Sequence, residues 1–76
     1  MLERIDLACG VIAGEHRLTI QLLRDIDSRT ERGIVFIWPP APTVIPPAQL
    51  AAVSNAIVAA LAAARIQLAA IRASEL

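Results

Sequence analysis

The apolar side chains divide the chain into three regimes. Between residues 5 and 13 the odd positions are Ile5, Leu7, Cys9, Val11 and Ala13, all apolar, while the even positions from 4 to 14 run Arg, Asp, Ala, Gly, Ile, Gly. A period of two is the mark of a half-buried strand. From 18 to 26 the parity inverts: Leu18, Ile20, Leu22 and Ile26 are apolar, interrupted by Arg24, and Arg17, Thr19, Gln21, Asp25 and Asp27 take the odd positions. A two-residue hairpin loop produces such an inversion. With Gly14-Glu15 as that loop, and Gly14 at the first central position of a type II′ turn, Val11 pairs with Leu18, Cys9 with Ile20 and Leu7 with Leu22. A helix over residues 4 to 26 would hold Gly10 and Gly14 at a cost of about 1 kcal/mol each. Its best stripe would also include His16 and Thr19. Under that alternative the fold would be an all-α helical hairpin, and the strand pattern fits better.

Residues 27 to 33, DSRTERG, form a polar cluster closed by glycine and read as the next turn. The following β-branched and aromatic run, IVFIW, reads as a third strand. A loop over 28 to 31 would pair Asp27 with Arg32 and send Val35 and Ile37 to the apolar face. Ile34, Phe36 and Trp38 would then point the other way beside Leu23, giving a second face too apolar to leave in water.

Five prolines follow, at 39, 40, 42, 46 and 47. Proline cannot donate to a sheet ladder, so Pro39 and Pro40 end the strand. The segment 39 to 46 reads as a stiff extended strap, and Pro46 and Pro47 sit where a helix should begin. The helix is expected over 47 to 73, with Leu50, Val53, Ile57, Leu61, Ala64, Leu68 and Ile71 forming one stripe at spacings of three and four. Its other side carries Ala52, Ala56, Ala59, Ala63 and Ala70 rather than charges, and no charged residue occurs from Gly33 to Ala64. At 27 residues the helix would run about 40 Å, and nine-residue strands only about 30 Å. An overhang onto a second protomer is the expected consequence.

The sequence therefore predicts a single α+β domain over 1 to 76: a three-stranded antiparallel β-meander (4 to 38), the strap, and one long C-terminal α-helix. Composition sharpens one point. A 76-residue chain that is 57% hydrophobic, with a mean hydropathy of +0.61, is too apolar for disorder and buries little of its own surface. A core shared between copies is expected. Net charge is zero and the pI about 6.5, so no long-range field draws in nucleic acid or an anionic membrane. The lone Cys9 rules out an internal disulfide and fits a reducing cytoplasm. No secretory signal core is visible at the start of the chain. The helix has the length to cross a bilayer, but Gln49, Ser54, Asn55, Arg65 and Gln67 interrupt it.

Candidate chemistry is sparse. Cys9 and His16 are the one conceivable nucleophile and base, and the hairpin holds them apart, with Cys9 expected in the core. His16 with scattered carboxylates such as Glu15 and Asp6 has no metal-ligand spacing. No cofactor and no enzymatic activity are expected. The function that fits is a small interaction or assembly module acting as a homo-oligomer, with a further protein as a conceivable partner. Its interface would use Ala52, Ala56, Ala59, Ala63 and Ala70 together with Phe36 and Trp38. The alternative is a nucleic-acid-binding regulator in which Arg17, Arg29 and Arg32 flank Phe36 and Trp38 as a stacking platform. Against it, Arg4, Arg17, Arg24, Arg29 and Arg32 are outnumbered by Glu3, Asp6, Glu15, Asp25, Asp27 and Glu31 in the same stretch.

Overall fold

The computed structural model, which describes residues 1–14 and 16–75, contains three antiparallel strands followed by one helix. Strand β1 (Leu2–Ala13), β2 (His16–Asp25) and β3 (Glu31–Ile37) form one sheet in the order β1-β2-β3. The strap leads to a 3-10 turn at Pro47–Gln49, which runs directly into α1 (Leu50–Ser74). Pro47 occupies the start of that turn, where its missing N–H leaves nothing unpaired. The fold is α+β, as the two periodicities require.

The central strand carries the core. Leu18, Ile20 and Leu22 are almost wholly buried and, with Leu7, Ala60 and Ala64, make up the buried cluster; Ile5, Ala8, Ile12, Ile57, Leu68 and Ile71 pack around it. Leu18, Ile20 and Leu22 were all legible as the apolar parity of β2.

The register around β2 differs from the uninterrupted ladder expected. Ala13 does pair with His16, and Gly14 has the positive φ, +54°, that the tight loop demands. Glu15, the other loop residue, lies outside the described residues. Two bulges then shift β1, one at Ile12 and one at Leu7, so that Cys9 pairs with Thr19, Ala8 with Ile20 and Ile5 with Leu22. The expected pairs Val11–Leu18, Cys9–Ile20 and Leu7–Leu22 do not form. Each bulge adds one residue and reverses the facing of everything beyond it. Leu7 stays buried, Ala8 and Gly10 face the helix, and Cys9 and Val11 turn to the outer face, both exposed.

The helix explains why this register is preferred. It packs on β1 and, less extensively, on β2. A Cβ built on Gly10 would stand 3.4 Å from the Ala60 Cβ and 4.0 Å from the Ala56 carbonyl oxygen. Small residues on both sides thus let α1 settle close to the sheet, where Cys9 and Val11 would have held it off. Ala60 and Ala64 are the buried helix positions, Ile57, Leu68 and Ile71 pack around the core, and Leu50, expected in the stripe, is 70% exposed.

The turn after β2 also comes earlier than expected. The Asp25 N–H donates to Thr30 O at 2.9 Å, and the Asp25 carboxylate accepts the Asp27 N–H at 2.9 Å and the Ser28 N–H at 3.4 Å. An aspartate that caps its own turn in this way outcompetes the later closure. Asp27 therefore does not pair with Arg32; Arg24 pairs with Glu31, a bulge at Arg32 follows, and Leu22 pairs with Ile34 and Ile20 with Phe36. Consequently Ile34 and Phe36 face the helix side. Val35 and Ile37 face outward with Gln21 and Thr19, the reverse of the expectation, and Leu23 is no neighbour of Phe36.

The expected overhang is absent at the C-terminal end of α1. Strand β1 has 12 residues and α1 has 25, which makes each about 40 Å long. Ion pairs fasten that end to all three strands. Arg72 donates to Glu31 on β3 in bidentate fashion, at 2.9 and 2.5 Å. Arg24 on β2 donates to Glu3 on β1 at 2.8 Å and also pairs with Glu75 just past the helix. Arg72 also sits favourably in the last helical turn, where the carbonyl ends are negative.

The hydrogen bonds from Arg72 hold the Glu31 carboxyl below the usual glutamate range. A depressed folded value means that the pair stabilises the fold above the ordinary carboxylate value of about 4.3 and that this contribution fades as pH falls through the depressed one. The melting midpoint is expected to drop between about pH 5 and pH 3, and to drop less in Glu31→Gln. Equal acid slopes in the two chains would remove Glu31 from this role.

Candidate interaction surfaces

Because α1 covers β1 and β2 but not β3, the helix side of β3 is left open. Ile34 and Phe36 are each 43% exposed and Trp38, just past the strand, 50%. The Phe36 and Trp38 rings stack at 6.4 Å between centroids with 18° between their planes, so the two form one flat apolar surface. Between β3 and α1 runs a groove of about 160 Å³ with Ile20, Ile34 and Phe36 on its floor. Leu61, Ala64 and Leu68 supply its helix wall and Arg65 its single charged lining group. Apart from Arg65 the groove is lined by aliphatic and aromatic side chains, an apolar surface rather than a set of convergent polar groups.

The alanine positions are distributed differently. Ala52, Ala59, Ala63 and Ala70 are exposed, whereas Ala56 is half-buried with its carbonyl over Gly10. The ridge lies on the flank of the helix away from Phe36 and Trp38, so the two halves of the expected interface occupy opposite sides of the molecule. Between them the back of α1 exposes Val58 at 62% and Ile66 at 73%. By length and composition the stretch Pro47–Ser74 is also long and apolar enough to cross a membrane. In this fold it packs along β1 and β2.

The arginines proposed for nucleic acid are not gathered into one site. Arg17 is the second residue of β2, at the hairpin end, and Arg29 lies in the turn past the other end of that strand, in the left-handed region with φ +57°. Arg32 is on the outer side, 3.6 Å from the Asp25 carboxylate. Phe36 and Trp38 are on the helix side, so the stacking platform and its flanking cations do not share a face. Cys9 accepts a long hydrogen bond from the Thr19 hydroxyl, 3.7 Å, and His16 is several pairs along the ladder from it. Among the described residues no cluster of three or more His, Cys, Asp or Glu side chains is arranged for a metal.

Ile34, Leu61, Leu68 and Arg65 went unrecognised as parts of one groove in the sequence. The facing of Ile34 is set by the bulge at Arg32: the earlier turn moves the register by an even number of residues and keeps the expected facing, and the one extra residue then reverses it. No signal in the pattern showed that the helix would leave β3 bare. No protein-family model matches the chain, and no curated protein or solved structure is detectably similar to it.

Proposed function

We propose that this α+β chain is a small non-enzymatic assembly module that works as a homo-oligomer. One observation carries the reading. A folded monomer of 8.1 kDa is expected to expose about 4,500 Å², and this chain exposes 5445 Å². The excess of about 950 Å² is close to the roughly 800 Å² that each partner contributes to a standard interface. The excess has a visible shape: the chain is a slab of 45 × 23 × 15 Å with, among the described residues, thirteen large apolar side chains exposed, Ile34, Phe36, Ile37 and Trp38 among them. A second apolar surface of that kind on a soluble partner, or on another copy, removes it from water.

Between the two flanks, the β3 side supports the reading better than the alanine ridge. A ridge of methyl groups offers little area per residue, whereas interface energy concentrates in aromatic anchors such as Trp38 and Phe36. Sedimentation equilibrium over a hundredfold concentration range is expected to show a dimer or higher species that is unchanged by a mixed oligonucleotide pool. A monomer that gains mass only with the pool would reject the assembly reading in favour of nucleic acid.

A further inference from the structure

The two edges of the sheet are not alike. The β1 edge is broken by bulges at Leu7 and Ile12 and carries Glu3, Arg4 and Asp6, devices that discourage a further strand from adding. The β3 edge has its bulge at Arg32, near one end, and from Gly33 to Ile37 holds no charge, proline or bulge. An open edge beside an apolar face is a place where another strand can add.

The backbone phase of that edge follows from one hydrogen bond. Asp25 directs its N–H to Thr30 O, so the odd residues of β2 point their backbone groups at β3 and, through the register, Gly33, Val35 and Ile37 point theirs back at β2. Ile34 and Phe36, with Trp38 beyond them, are left with outward N–H and C=O groups. Two such edges match in antiparallel order when Ile34 faces Phe36 of a second copy. Arg32 then faces Trp38, and Val35 meets its own twin. Pro39 falls just beyond the last pair, so proline limits the ladder without interrupting it.

We infer that two copies of this chain join by antiparallel pairing of their β3 edges about a two-fold axis through Val35, making one six-stranded sheet. The inference rests on the self-associating reading above and specifies its geometry. The pairing aligns Ile34 and the stacked Phe36–Trp38 rings of both copies on one face, between the two helices. It consumes the open edge of each copy, so the assembly closes as a dimer rather than growing into a filament.

The test is a cysteine placed on the axis. In a Cys9→Ser background, Val35→Cys puts two thiols on a non-hydrogen-bonded pair with Cα atoms about 4.5 Å apart, within disulfide range. Ile37→Cys, two residues off the axis, leaves its Cα atoms about 14 Å apart and serves as control. Mild oxidation is expected to convert Val35→Cys to covalent dimer at least tenfold faster than Ile37→Cys. Equal rates in a chain that sediments as a dimer would overturn the β3 pairing while leaving self-association standing. A chain that sediments as a monomer and stays uncrosslinked would overturn both, and would leave the groove to a different protein.

Discussion

Ala60→Glu is expected to abolish cooperative melting at 25 °C, and Ala59→Glu, one residue away, to leave it within about 0.5 kcal/mol of the starting chain. The difference lies in what each methyl touches. Ala60 is 6% exposed and its methyl faces Gly10 across the helix–sheet contact, among the buried apolar side chains. A carboxylate there loses its water without gaining a partner, which costs several kcal/mol. At 0.05 to 0.15 kcal/mol per residue, a chain of 76 residues has a total stability of only about 4 to 11 kcal/mol. Ala59 faces solvent and imposes no such cost. Circular dichroism during urea and thermal unfolding measures both chains. A normal midpoint in Ala60→Glu would show that α1 is not seated on Gly10, and with that the bare β3 surface would lose its structural basis.

Phe36→Glu should weaken self-association by about a thousandfold while leaving the monomer folded. An aromatic anchor at the centre of an interface contributes about 2 kcal/mol or more, and a two-fold axis counts it twice, so about 4 kcal/mol is lost, close to three decades in the dissociation constant. The monomer tolerates the change because Phe36 is 43% exposed and Leu18, Ile20 and Leu22 hold the core without it. Ala63→Glu, on the opposite flank, is expected to leave the dissociation constant within a few-fold. Should Ala63→Glu dissociate the protein and Phe36→Glu leave it intact, the alanine ridge would be the interface and β3 would not. Sedimentation equilibrium of the three chains side by side reads all these outcomes.

Much of the architecture was legible in the alternation and spacing of apolar residues. The two strands of the hairpin, Gly14 in its loop, the third strand ending before Pro39, and the helical turn at Pro47 that leads into α1 all follow from local rules that act over a few residues. The buried face of β2 was equally plain, because an unbulged central strand keeps its parity from end to end. On β1 the same reasoning failed at Cys9. Parity predicts facing only while the ladder is unbroken, and a single extra residue at Ile12, between the hairpin loop and Cys9, reverses it. The open groove was invisible for a related reason: the apolar stripe of the helix announces that it will cover a sheet, not which two of three strands it will cover.

Elements, order and the central apolar row were therefore set locally, by periodicity and by glycine and proline geometry. The bulges, the seating of Ala60 on Gly10, the facing of Phe36 and the bare edge of β3 were decided in three dimensions. Each depends on how closely one surface can approach another, and that contact exists only once residues far apart in the chain have met.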